Sequence, residues 1–113
     1  MNKIDRGKEG ESIAIEYLQK SGHTIIDTNF RNRLGEIDII SLRGETLYFS
    51  EVKNWTGVFY SPLETFTEKK ISKMRKLTEF FLSKHTKYSK NYLVSFCLIK
   101  IERENVEFFT DLF

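Results

Sequence analysis

The sequence predicts an α/β domain in which two helices flank a mixed central sheet, in the order α-β-β-β-α-β-β. Two stretches have helical periodicity, residues 6–21 and the lysine-rich segment that follows Pro62. Five β-rich runs, 23–30, 37–40, 47–52, 92–101 and 106–109, are interleaved with them, and such an alternation buries its apolar faces by laying helices on a sheet. The chain has 113 residues, enough for one core and too few for two, so residues 1–113 read as a single domain.

In the first helix Ile13, Ala14, Tyr17 and Leu18 recur at helical spacing, Asp5 is placed to cap the start, and Gly22 stands where a left-handed residue ends a helix. Residues 23–30 suit a strand that leads into a basic loop containing Arg31 and Arg33. Ile37-Asp38-Ile39-Ile40 and Leu47 to Val52 flank the short link Arg43-Gly44-Glu45, whose glycine permits a positive φ, so they form a hairpin. Beyond Gly57 and Pro62 the second helix carries Phe66, Met74, Leu77 and Phe81 on one side and ends near His85. Tyr92 to Ile101 is nearly continuous in apolar residues, the pattern of a strand buried on both faces, and Val106 to Phe109 is its shorter partner.

Composition narrows the function classes. The single Cys97 sits in an apolar run and has no disulfide partner, which points to a reducing compartment. The N-terminus lacks the apolar stretch of a signal peptide, and no run of about 18 apolar residues is present to span a bilayer, so the expectation is a cytoplasmic protein with no membrane partner. A net charge of +2 does not by itself announce nucleic-acid binding. His23 and His85 lack the local spacing of zinc ligands.

The chemistry concentrates around one hairpin. In Phe49-Ser50-Glu51-Val52-Lys53 the twofold alternation of a strand sends Glu51 and Lys53 to one face and Val52 to the other. Asp38 is a second carboxylate inside an apolar strand, and the short link makes the two strands neighbours, so Asp38 and Glu51 can face one another. Glu11 lies about 20° from Leu18 and about 60° from Ala14 on a helical wheel, at the margin of the apolar stripe. Lys70, four residues after Phe66 and four before Met74, is a cation in the inward row of the second helix.

Three carboxylates gathered at one place repel, by about 4 kcal/mol for each pair 4 Å apart at an effective dielectric near 20. A hard divalent cation offsets that, and oxygen ligands without His or Cys favour Mg²⁺ or Mn²⁺. Held by Asp38 and Glu51, with Glu11 completing the shell, such an ion activates water for phosphodiester hydrolysis while Lys53 orients the water or neutralises transition-state charge. Lys69, Lys70 and Lys73 belong to the densest basic stretch, and with Arg31 and Arg33 they are the candidate phosphate contacts. Trp55, Phe59 and Tyr60 follow Lys53, where rings either stack on an unpaired base or pack onto the fold.

Gly10-Glu11 with Ala14 and Tyr17-Leu18 behind it, Asn29, Gly35-Glu36-Ile37-Asp38, Glu51-Val52-Lys53 and Lys70 follow the PD-(D/E)xK signature in order. Across most of its length the chain resembles the YraN family of small nuclease-like proteins, which is similar to archaeal Holliday-junction resolvases. The resemblance implies a restriction-endonuclease-like fold, a divalent metal and a DNA substrate, branched or nicked as in repair and recombination. It implies Asp38, Glu51 and Lys53 as the core and Glu11 as the auxiliary acid. Three positions depart from the family pattern: Ile37 stands where the motif's name has proline, Trp55 where arginine is usual, and Ser95 where an aspartate is common.

Plainer readings stand beside this one. Glu11 also suits the surface of an amphipathic helix, Glu36 suits a structural role one pleat before Asp38, and the lysines suit a solvated helix face. The competing functions are a nucleic-acid-binding module without turnover, and an accessory subunit whose segment Phe108-Phe109-Thr110-Asp111-Leu112-Phe113 docks on a partner or on a second copy to make a homodimer. No reading calls for a small-molecule cofactor.

Overall fold

The computed structural model describes residues 3–55, 64 and 66–113, with side chains from Gly7 onward in that range. The Asp5 side chain, Gly57, Phe59, Tyr60 and Pro62 lie outside the described residues. The elements are α1 (Lys3–Lys20), β1 (Thr24–Asn32), β2 (Gly35–Arg43), β3 (Thr46–Asn54), α2 (Glu68–Lys84), β4 (Leu93–Glu102) and β5 (Asn105–Phe109), with a 3-10 turn at Thr86–Tyr88. The five strands form one mixed sheet in the order β1-β2-β3-β4-β5. β3 and β4 run parallel and the other neighbours antiparallel. A parallel pair requires a crossover, which α2 supplies. The α-β-β-β-α-β-β order and the mixed, helix-covered sheet are as the sequence predicts.

Each face of the sheet has its own helix. On one, Ala14 and Leu18 of α1 pack on Ile39, Ile99 and Ile101, with Val52 and Phe108 alongside. On the other, Leu77 and Phe81 of α2 pack on Ile37, Ile40, Leu47 and Phe49. Burial on both faces explains the unbroken apolar runs in β2 and β4. Phe81 is fully buried, and its truncation to alanine is worth about 3–5 kcal/mol.

α1 ends in a Schellman motif: the His23 N–H donates to the Leu18 carbonyl at 2.9 Å and the Gly22 N–H to that of Gln19 at 3.1 Å. Gly22 takes the left-handed φ of +90° that the motif needs. α2 begins at Thr67, whose side chain accepts from the Lys70 N–H at 3.2 Å.

Several boundaries differ from the sequence reading. α1 already runs from Lys3, so Asp5 lies within it and is not its cap. Phe66 precedes the Thr67 cap, outside α2, and its ring meets Phe113 at 5.4 Å. The hairpin link is the two residues Gly44-Glu45, because Arg43 already pairs with Thr46. β1 extends through Arg31 to Asn32, leaving only Arg33-Leu34 at its turn; an edge strand tolerates a charged residue on its open side. β4 is not buried at its start, where Leu93 is 71% exposed and Val94 36%.

Candidate functional site

The site forms where β2 and β3 stop pairing. Their ladder runs from Arg43↔Thr46 to Ile39↔Ser50, and the next positions in register are Asp38 and Glu51. β3 continues to Asn54 because β4 pairs with it on its other side, through Asn54↔Ile101. Asp38 occupies the resulting fork: its Oδ2 accepts from the Val52 backbone N–H at 2.7 Å, filling the place of the missing ladder bond.

Glu51 projects from the α2 face, with a side chain 15% exposed. Its Oε1 meets the Lys70 Nζ, and the Lys53 Nζ lies 3.6 Å away. Its Oε2 is buried and has no hydrogen-bond partner among the described residues. Asp38 and Glu51 line one front cleft of about 480 Å³ between the sheet and α2, together with Leu34, Lys69, Lys70 and Lys73. Burial pushes the Asp38 carboxyl up to about 6, and the neighbouring carboxylates Glu51, Glu36 and Glu11 push the same way against the opposing Val52 N–H.

Behind the sheet plane, a second cleft of about 270 Å³ is lined by Gly7, Lys8, Glu11, Asn29, Glu36, Asp38 and Val52. Gly10 lets α1 approach β3 closely, since a Cβ there would sit 3.0 Å from the Asn54 Cβ. That approach brings Glu11 to Asn29, whose Nδ2 donates to Glu11 Oε1 at 2.8 Å. Asn29 falls opposite Asp38 between the pairs Thr28↔Ile39 and Phe30↔Ile37, and it takes a left-handed φ of 55°. Asparagine accepts that conformation more readily than other side chains.

The expected meeting of three carboxylates at one point is therefore corrected. Glu51 opens on the α2 side and Glu11 on the α1 side, and Asp38, lying in the fork, borders both clefts. Among the described residues no group of three His, Cys, Asp or Glu is spaced to hold a metal ion. The sequence marks both Glu11 and Asn29 as landmarks of the family pattern but gives no sign that they bond to each other. Leu34 in the front cleft had no signal.

Trp55 is also corrected as an open stacking platform. It is 7% exposed, its backbone N–H donates to the Ile101 carbonyl at 2.7 Å, and Lys100 Nζ lies 5.7 Å from its ring centroid. Arg31, Arg33, Lys69 and Lys73 are exposed as phosphate contacts need to be. Ser95 is buried, and its Oγ accepts from the Asp111 N–H at 2.9 Å, so this position organises the C-terminal residues. The Phe108 and Phe113 rings of that segment are engaged within the chain. Phe113 stacks on Phe96 at 4.5 Å, and Phe108 meets Tyr17, His23 and Tyr48. Among the described residues no helix is long and apolar enough to cross a membrane.

Comparison with known proteins adds a family. The model of the family described as "Uncharacterised protein family UPF0102" matches residues 10–101. A UPF0102 protein of Leptospira interrogans serovar Lai is 44% identical over 113 residues, covering 98% of this chain and 97% of its own. Its counterpart in Persephonella marina is 43% identical over 103 residues, covering 89% and 86%. A third, in Thermodesulfovibrio yellowstonii, is 36% identical over 114 residues, covering 100% and 99%.

Proposed function

The chain belongs to the UPF0102 family, and from its PD-(D/E)xK-like motif and the geometry of the β2–β3 fork we propose that it is a metal-dependent nuclease hydrolysing DNA phosphodiester bonds at branched or nicked structures, as Holliday-junction resolvases do. One observation carries the reading: Glu51 Oε2 is a buried carboxylate oxygen without a partner among the described residues, in the same cleft as Asp38. Buried polar atoms are nearly always satisfied, so an orphan at such a place calls for an absent ligand. Mg²⁺ fits the donor set, because it is commonly held by one or two carboxylates and completes its shell with waters and substrate phosphate. Mn²⁺ suits the same oxygens.

Asp38 and Glu51 are the direct ligands in this reading. The bound cation supplies charge neutralisation at the phosphate and a water activated for attack. Asp38, which would hold the ion with Glu51, is oriented by the Val52 N–H that its Oδ2 accepts. Lys53 does not line the cleft, but its Nζ lies 3.6 Å from Glu51 Oε1 and its side chain is 40% exposed, so in this reading it is the cation that places the nucleophile and offsets charge on the transition state. Lys70 balances Glu51 before substrate arrives and then contacts phosphate. Glu11 acts from the rear cleft as a positioning residue, holding Asn29 against the Asp38 segment.

A second reading has its own observation. The Lys70 ammonium already sits on Glu51, which suits a protein that binds nucleic acid without turnover. The test is incubation with a labelled four-way junction, a nicked duplex, a flap and a single strand, in Mg²⁺, Mn²⁺ or EDTA, beside Lys53→Ala. Cleavage that requires metal and is lost in the variant supports hydrolysis. Metal-independent binding with no cleavage of any substrate supports the second reading.

A further inference from the structure

Building on the hydrolytic reading of the front cleft, we propose that this cleft receives an unpaired DNA nucleotide, its base against Leu34 and its flanking phosphates on Lys69 and Lys73. Leu34 is 37% exposed at the tip of the β1–β2 hairpin and lines the cleft with Asp38 and Glu51. The turn does not require a leucine. It is closed by the pair Asn32↔Gly35, by the Asn32 side chain accepting the Leu34 N–H at 2.8 Å, and by the positive φ of Gly35. An exposed apolar side chain beside the Glu36, Asp38 and Glu51 carboxylates is therefore free to meet a ligand.

The chemistry of the opposite wall identifies the occupant. Lys69 and Lys73 stand one helical turn apart on α2, both exposed and both lining the cleft. Met74 and Leu77 form the floor between them and Leu34. A cationic rim over an apolar floor suits a ligand that carries anionic and flat apolar parts in alternation. Paired DNA presents phosphate and sugar on its outside and keeps its base faces stacked within, so an apolar wall gains nothing against a duplex. A base face becomes available only when the nucleotide is unpaired or extruded. A cleft of about 480 Å³ lies within the range of sites that enclose small ligands.

The full-length chain in EDTA, where cleavage is prevented, is titrated by fluorescence anisotropy with a short labelled single strand, the same strand bearing a central run of abasic residues, and a blunt duplex. The abasic strand keeps the charge and removes the bases. The expected result is affinity for the single strand above that for both others, with the abasic strand weaker by about fivefold. Leu34→Ser is expected to bring the intact strand down to the abasic value and to leave the abasic strand unchanged; thermal melting confirms that the variant folds. Equal binding of intact and abasic strands, a tighter duplex, or a Leu34→Ser effect of equal size on both strands overturns the proposal.

Cleavage in Mg²⁺ of a four-way junction, a nicked duplex and a flap, beside these oligonucleotides, separates this inference from the reading it rests on. Metal-dependent cutting without base preference in binding overturns the nucleotide cleft and leaves hydrolysis standing. Base-selective binding without cutting supports the cleft and overturns hydrolysis. No binding to any strand in EDTA overturns the nucleotide cleft, and cutting of the junction, nick or flap in Mg²⁺ then decides hydrolysis by itself.

Discussion

Asp38 accepts the Val52 N–H at 2.7 Å at the point where β2 and β3 cease to pair. One side chain thereby completes the backbone bonding of the sheet and faces the clefts on both sides of it. The arrangement is costly for the charged form, since burial and three neighbouring carboxylates raise the Asp38 carboxyl from 3.8 to about 6.

That cost sets a pH dependence. The folded state holds the Asp38 proton more tightly than the unfolded chain, so this contribution is fully present below pH 3.8 and is lost as pH rises through about 6. Asp38→Asn keeps an oxygen for the Val52 N–H and removes the charge. At pH 7 to 8 without metal it is expected to be more stable than the parent, on the order of 1–3 kcal/mol. Urea melts from pH 4 to pH 8 should show the difference vanish at the acid end.

A divalent cation held as proposed would compete with Lys70 for Glu51. Lys70→Ala removes the ammonium that meets Glu51 Oε1. Mn²⁺ affinity is expected to rise several-fold, on the order of 1 kcal/mol, while DNA affinity falls. Isothermal titration with Mn²⁺ and with DNA reads the two opposite effects.

Gly10→Ala is expected to destabilise the protein by about 1 kcal/mol, because overpacking of about 1–3 kcal/mol against Asn54 outweighs the better helix propensity of alanine. The resulting shift of α1 disturbs the bond from Asn29 to Glu11. Thermal melts give the first effect and amide chemical shifts at Asn29 the second.

Cys97 is buried beside Ser95, and burial pushes its thiol up to about 11. At pH 8 the native protein is expected to resist iodoacetamide and to react only on unfolding. Mass spectrometry across a urea series follows this, and prompt labelling of the native chain contradicts it.

The legible part of the site was its local part. A short link fixes the register of β2 on β3, so the neighbourhood of Asp38 and Glu51 follows from residues about a dozen apart in the chain. Glu11 was harder. A helical wheel places it beside the apolar stripe, but which face of the sheet α1 covers is decided by Ala14 and Leu18 packing on Ile99 and Ile101 far along the chain. The choice between stacking and packing for Trp55 was open for a similar reason: Lys100 and Ile101, which meet its ring and its backbone, lie far along the chain from the motif that precedes it. The displacement of Phe66 from α2 is local, and Thr67 as a capping residue was its available signal.

The most direct measurement is Mn²⁺ binding, followed by electron paramagnetic resonance of the free ion, to the parent chain, Glu51→Gln, Asp38→Asn and Glu11→Gln. The account predicts binding by the parent, loss of at least about tenfold in affinity for Glu51→Gln and Asp38→Asn, and near-parent binding for Glu11→Gln. Absence of binding to the parent, or binding that survives loss of Glu51 and fails with loss of Glu11, contradicts the assignment of the ion to the β2–β3 fork.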